Sequence, residues 1–243
     1  MNESRLRIIA VHQELLGTYG DIGNAAVLAH RAKARGVNVE VLLARSDAPL
    51  PTSGDIYLFG GGEDSAQIAS VESLRTHGGS EALARALDNG AALLAICAGL
   101  QILGEHFPGV AGDRIAGIGL LPLHTIAGDK RLVGELAMRS MIFSEPLTGF
   151  ENHRGRTILA DGVEPLGEVF LGTGNGDVDH RIDGILFGKV VGTYMHGPAL
   201  ARNPELADYL LASVLGTLAP YDDPPAIALA TERRRAALSL ASR

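Results

Sequence analysis

Four short apolar runs in the first half of the chain limit what it can fold into. Residues 6–11, 37–43, Ile56–Phe59 and 91–96 have the length and aliphatic content of buried strands. Helical patterns stand between them, over 24–35 before Gly36 and over 80–88 before Asn89-Gly90. Strands that alternate with helices predict a mostly parallel sheet flanked by helices on both faces, an α/β fold. Sites in such sheets lie at the carboxyl ends of the strands. Gly60-Gly61-Gly62 and Cys97 both fall at such ends.

The second half reads differently. Residues 158–159, 168–171, 182–187 and 190–195 are short strands separated by glycine-rich turns, and Gly188-Lys189 predicts a tight hairpin. We therefore expect antiparallel strands added to the parallel core. A helix is predicted over 205–215. The break over 220–225 then divides the chain into a domain over 1–217 and a helical extension over 218–243, whose Arg233-Arg234-Arg235 run reads as a solvated face. A formal net charge of −7 argues against nucleic acid as a partner. The 6–11 run is too short for a signal-peptide core, and no apolar stretch approaches a membrane span, so a cytoplasmic location without membrane insertion is expected. One cysteine excludes an internal disulfide. No Cys/His cluster has zinc spacing, so no metal is expected either.

Cys97 sits where a nucleophile would sit. A strand that turns sharply into a helix, here beginning at Leu100-Gln101-Ile102, holds its last side chain above the sheet with backbone N–H groups beside it. A lone cysteine is otherwise a small buried hydrophobe; the Ala98-Gly99 that follows, and a base further along, favour the reactive reading. Gln101 shares a helix face with Cys97 and could present its amide to a substrate, or be an ordinary helix residue. Gly60-Gly61-Gly62 lacks the lysine of a P-loop and the spacing of a dinucleotide site. Its amides suit an oxyanion hole or a flexible turn. Gly17, Gly20 and Gly23 read as loop-to-helix packing.

Among the eight histidines, His196 ends a strand and precedes Gly197-Pro198. From there it can face Cys97 and shuttle a proton, and it is preferred to His153 as the base. His12, His30, His77, His106, His124 and His180 have no obvious partner in the sequence. The spaced aspartates over 175–183 lack the central glycine and closing glutamate of a calcium loop and read as a hairpin turn.

Five stretches carry a resemblance: Tyr19-Gly-Asp-Ile-Gly-Asn24, Phe59-Gly-Gly-Gly-Glu-Asp-Ser65, Cys97-Ala-Gly-Leu-Gln-Ile-Leu-Gly104, Gly149-Phe-Glu-Asn-His-Arg-Gly-Arg-Thr157 and Gly192-Thr-Tyr-Met-His-Gly-Pro198. Together they resemble the class I glutamine amidotransferases of the cobyric-acid-synthase-like branch. More narrowly, they are similar to the GatD-type glutaminase subunits of lipid II isoglutaminyl synthases. The resemblance implies that Cys97 attacks the side-chain amide of L-glutamine and that His196 protonates the departing ammonia. It implies an oxyanion hole from the amides of Gly60, Gly61, Gly62 and Ala98. It also implies that Gln101 positions the glutamine and that Arg131 captures its carboxylate, which a guanidinium can bind bidentately.

The resemblance further implies no cofactor on this chain, with ATP used by a MurT-type, Mur-ligase-like partner in a heterodimer. That partner would amidate D-glutamate of the lipid II stem peptide. A glutaminase for another synthase, such as a corrinoid amidase, and a noncatalytic thiol sensor are the alternatives. Two positions depart from the family pattern. Pro198 stands where many members have a glutamate after the catalytic histidine, which leaves open a Cys–His dyad or a third group among Glu151, Asn152 and Asp64. Ala95 replaces a glycine before the nucleophile and adds only a methyl group.

Overall fold

The computed structural model describes residues 5–176 and 180–242. Strand β1 (Arg5–Val11) leads through helix α1 (Gly23–Ala34) to β2 (Asn38–Ala44). Strand β3 (Ile56–Phe59) is followed by α2 (Asp64–Thr76), α3 (Gly79–Asp88), β4 (Ala92–Ile96) and the short α4 (Ala98–Leu103). These are the four apolar runs as expected, paired in parallel as β2–β1–β3–β4. Every residue of β3 and β4 is buried, which is what a strand covered on both faces requires. At the edge, β2 alternates and leaves Val41 and Leu43 exposed. The central strands contribute fully buried Ile8, Ile9, Tyr57, Phe59 and Leu93, each worth about 1.5–3 kcal/mol relative to exposure.

The chain then leaves the main sheet. A small hairpin, β5 (His106–Pro108) with β6 (Arg114–Ala116), precedes two long strands, β7 (Leu123–Arg139) and β8 (Leu147–Leu159). These pair antiparallel over most of their length, with a register shift between Ala127 and Leu132. With β9 (Gly167–Leu171) and β10 (Ile182–Asp183) they form a second, antiparallel sheet of order β10-β9-β7-β8. Strands β11 (Ile185–Phe187) and β12 (Val190–Thr193) return to the main sheet, completing the order β11-β12-β4-β3-β1-β2. They are joined by the expected hairpin at Gly188-Lys189, and β12 lies parallel to β4.

The single strand expected over 182–187 is in fact two, on different sheets. Gly184 adopts φ +70° between them, and a Cβ there would strike the Gly192 carbonyl. The turn reading of 175–183 falls partly on 177–179, outside the described residues; the flanking β9 and β10 do pair antiparallel.

Three helices close the chain: α5 (Ala199–Arg202), α6 (Pro204–Leu215) and α7 (Pro224–Ala241). The start of α7 is capped by the Asp223 carboxylate, which accepts from the Ala226 amide, with Pro224 and Pro225 in the first turn. Asp223 also binds Arg31, whose guanidinium makes two hydrogen bonds with Asp208 of α6 at 2.8 and 2.7 Å. Further along, Arg234 donates to Glu205 and to the Pro146 carbonyl, and Ala230 and Ala237 are buried. The run of three arginines is therefore not wholly solvated: Arg234 is spent on packing α7 against the rest of the fold.

Candidate active site

Strand β4 delivers Cys97 to the carboxyl end of the parallel strands, and α4 starts one residue later. The turn leaves Cys97 at φ +51°, ψ −108°, a sterically costly conformation for a residue with a side chain. Such strain persists only where the surroundings impose it. The Cys97 amide donates to Thr193 O, Gln101 N donates to Cys97 O, and Gly99 N donates to Gly60 O. Gly99 is required by that last contact, because a Cβ there would lie 2.6 Å from Phe59 Cβ. The thiol is 5% exposed, and burial, then the Asp21 charge, push it up to about 12. The Ala98 amide and Arg131 act in the opposite direction. Cys97 thus rests as a thiol, and to act as a nucleophile it would need a base to ionise it.

His196 follows β12, the parallel neighbour of β4, so strand order brings it to the same end of the sheet as Cys97. It is fully buried, and its backbone bridges to Phe150 of β8 through hydrogen bonds of 3.1 and 2.9 Å. Its Nδ1 lies 3.0 Å from Asp21 Oδ2. That contact to a carboxylate places the proton on Nδ1 and leaves Nε2 as the basic nitrogen. Nε2 is buried and has no hydrogen-bond partner among the described residues. Asp21 Oδ2 also accepts the Gly61 amide at 2.8 Å. The rings of Tyr19 and Phe150 pack against the imidazole, with centroids 4.4 and 5.4 Å away. The Cys97 thiol, the His196 imidazole and the carboxylate bonded to it therefore come from the segments that follow β4, its neighbour β12, and β1, which lies beyond β3.

A cavity of about 410 Å³ opens over the thiol. Cys97, Ala98 and Gly62 line its inner end, and Tyr19, Glu63, Arg131 and Asn152 stand around it. Arg131 comes from the irregular part of β7 and Asn152 from β8, so the β7–β8 ribbon forms one wall. Arg131 Nε donates to Asn152 Oδ1 at 2.7 Å and its Nη2 donates to Tyr19 Oη at 2.9 Å. Its other guanidinium N–H groups have no hydrogen bond among the described residues and could meet an anion. On the opposite wall Gln101 is buried in a polar chain: its Oε1 accepts from Gln67 and its Nε2 donates to Tyr194 Oη, which contacts Thr157. The same cavity is lined by Pro108 to Gly112, the tip of the β5–β6 hairpin.

A family model described as a CobB/CobQ-like glutamine amidotransferase domain matches residues 7–204. The chain belongs to that family. Among curated relatives, the GatD subunit of a lipid II isoglutaminyl synthase (glutamine-hydrolyzing) from Streptococcus pneumoniae is 35% identical over 213 residues, covering 87% of this chain and 81% of that one. Its Staphylococcus aureus counterpart is 36% identical over 207 residues, with 85% and 83% covered. A cobyric acid synthase from Brucella abortus is 31% identical over 166 residues, which is 65% of this chain but 32% of the synthase. Among solved structures, a chain of Thermotoga maritima PurLQS superposes with a TM-score of 0.58 at 17% identity, covering 87% and 98% of the two chains. A glutamine amidotransferase from the same organism gives 0.51 at 16% identity, with 98% and 94% covered. These two show that the fold is shared.

In this amidotransferase the structure redraws part of the site expected from sequence. The group on His196 is Asp21, not Glu151, Asn152 or Asp64. Glu151 is held by the amides of Thr173 and Gly174 at 3.0 and 2.8 Å, Asn152 by Arg131, and Asp64 begins α2. Asp21 was hidden because it lies 175 residues from His196, in a stretch read only as packing. Packing is real there too: a Cβ on Gly23 would strike Pro198, and Asn24 Oδ1 accepts from Leu200 N at 2.9 Å.

Of the four amides that the resemblance assigns to an oxyanion, two are less well placed than the others. Gly61 N is committed to Asp21, and Gly60 does not line the cavity, whereas Gly62 and Ala98 do. Gln101 shapes the wall, with both ends of its amide already bonded to protein. His153 lies on the cavity but its Nδ1 is 2.9 Å from the Gly155 carbonyl and its ring stacks on Tyr194. Among the described residues, Glu105, His106 and His124 bring potential metal ligands within 4.8 Å of one another. Their imidazoles stack at 4.8 Å and 19°, so an ion in the plane of one ring lies out of the plane of the other.

Proposed function

We propose that this chain is the glutaminase subunit of a lipid II isoglutaminyl synthase. It hydrolyses L-glutamine to glutamate and ammonia, and passes the ammonia to a MurT-type, ATP-dependent Mur-ligase-like subunit in the cytoplasm. That partner amidates D-glutamate of the lipid II stem peptide to D-isoglutamine and is the site of ATP use. The observation that carries the reading is Cys97 held at φ +51° at the end of β4, with the neighbouring strand β12 leading to the His196–Asp21 pair and a cavity over the thiol that has a cationic side chain on its wall.

The steps follow from the groups present. His196 Nε2 takes the Cys97 proton, and the thiolate attacks the glutamine side-chain carbonyl carbon. The oxygen becomes negative and is held by the Gly62 and Ala98 amides. His196 then gives its proton to the leaving nitrogen, so ammonia departs and a thioester remains. A water that loses its proton to His196 attacks the thioester, releasing glutamate and restoring the thiol. Asp21 keeps the imidazole in one tautomer and stabilises the imidazolium formed in each half. Arg131 binds the α-carboxylate of glutamine.

The coverage of relatives favours a GatD role over the corrinoid one, since the chain spans more than four-fifths of the GatD subunits and about a third of the cobyric acid synthase. A thiol sensor is disfavoured because oxidation proceeds through a thiolate, and burial holds Cys97 protonated. The test is Cys97→Ser in the complex with the ligase. Glutamine-driven amidation of lipid II should stop, while amidation driven by high ammonium should continue. Residual glutaminase activity in that variant, or failure of ammonium to rescue it, refutes the division of labour.

A further inference from the structure

Two side chains of opposite charge share one hydroxyl on the cavity wall. Arg131 Nη2 donates to Tyr19 Oη at 2.9 Å, and Tyr19 Oη donates to Glu63 Oε1 at 3.2 Å. Glu63 therefore stands one hydroxyl away from the guanidinium assigned to the substrate carboxylate. Building on the glutaminase reading, we propose that Glu63 binds the α-ammonium group of glutamine. The pocket then selects the free amino acid over derivatives in which that amine is missing or acylated.

The geometry fits a zwitterion. The ammonium and carboxylate of an α-amino acid hang from one carbon, so their binding groups must be neighbours of opposite sign. Tyr19 Oη keeps them so: it accepts from the cation and donates to the anion, and cannot exchange these roles with either. Both partners line the same cavity as Cys97. Only one oxygen of Glu63 is used by Tyr19, and Oε2 makes no hydrogen bond among the described residues. Asp64 lines the cavity as well, but it has no hydrogen bond to Tyr19 and begins α2, where its charge meets the helix N-terminus.

The placement also bears on the nucleophile. The Glu63 charge raises Cys97, opposing ionisation, while Arg131 lowers it. An ammonium group seated on Glu63 cancels that opposing field, so the correct substrate eases formation of the thiolate that attacks it. A glutamine derivative without the amine leaves the field in place.

The experiment compares Glu63→Gln with wild type, both in complex with the ligase, on L-glutamine, glutaramate (which lacks the α-amine) and N-acetylglutamine. Wild type is expected to prefer glutamine strongly. In E63Q, kcat/KM for glutamine should fall about tenfold, as for loss of one charged contact from an exposed side chain to a bound substrate, while the glutaramate value stays within about twofold. Asp64→Asn should leave the glutamine-to-glutaramate ratio unchanged. Alkylation of Cys97 by iodoacetamide in the substrate-free protein should be faster in E63Q, a readout independent of turnover. An active wild type whose preference survives in E63Q, or a loss that is equal for glutamine and glutaramate, overturns the role of Glu63 alone. A wild-type complex that does not hydrolyse glutamine removes the glutaminase reading and this inference together.

Discussion

Replacing Asp21 by asparagine tests the charge behind the base without changing its shape. Among the described residues, both donors that reach this side chain, His196 Nδ1 and the Gly61 amide, converge on the single oxygen Oδ2, while Oδ1 is buried with no hydrogen-bond partner. An asparagine can therefore place its carbonyl oxygen at Oδ2 and keep both hydrogen bonds, with the NH2 group at the unpartnered position. The imidazole tautomer survives, and what is lost is the negative charge that stabilises the imidazolium. Hydrogen bonds to charged groups are worth about 1.5–3 kcal/mol, and each 1.36 kcal/mol is tenfold in rate. The kcat for glutamine should thus fall about 10- to 150-fold in D21N, with KM within about threefold of wild type.

Asp21→Ala is predicted to lose more activity, because the tautomer is no longer fixed. It should also lose about 1–3 kcal/mol of folding stability, since the buried Gly61 amide is left without an acceptor. The assay is glutamate release by the ligase complex over a range of glutamine concentrations, with urea unfolding of each variant alongside. A D21N enzyme within threefold of wild-type kcat, or one whose deficit lies only in KM, would refute the claim that Asp21 acts through His196.

Two further outcomes are expected. Arg131→Ala should raise KM for glutamine by about one to two orders of magnitude and change kcat much less, as loss of one charged contact made in both ground and transition states predicts; an unchanged KM in steady-state kinetics removes Arg131 from the substrate site. Burial, opposed by hydrogen bonds from Thr193 and Tyr194, raises Asp183 to about 6. The folded state then holds a proton that the unfolded state releases near pH 4, so this group's contribution is fully present below about 4 and is lost as pH rises through about 6. Urea midpoints of Asp183→Asn should vary less between pH 4 and 6 than those of wild type, and an identical pH slope would count against the linkage.

What was legible in the sequence follows from how local the signal was. The strand into Cys97, the hairpin at Gly188-Lys189 and the strand before His196 are each written in contiguous residues, and all three are present, the last ending at Thr193 where the expectation ran to 195. The β7–β8 ribbon was not read beyond 158–159. Over Ala127 to Leu132 its pattern is broken by Gly128, Asp129, Lys130 and Arg131, where the register shifts, and such a stretch has no period-two signature. Helix α2 was missed because its buried positions include Gln67 and Ser70, so its inner face does not look apolar. Asp21 was missed for another reason. Its role depends on the loop after β1 meeting the segment after β12 at one end of the sheet, and no pattern within a short window can report that.

The strand order has a consequence for the life of the molecule. Asp21 follows β1, Gly62 follows β3, Cys97 follows β4 and His196 follows β12, and these four strands lie side by side as β12-β4-β3-β1. In the order of synthesis, however, β12 emerges long after the other three, once the whole antiparallel ribbon has been made. A nascent chain carries its thiol and the carboxylate early but has no proton carrier between them until β12 slides in beside β4. On the proposed mechanism, glutamine cleavage is therefore withheld from every unfinished form of the chain, and ammonia is released only by a molecule in which β12 has taken its place beside β4.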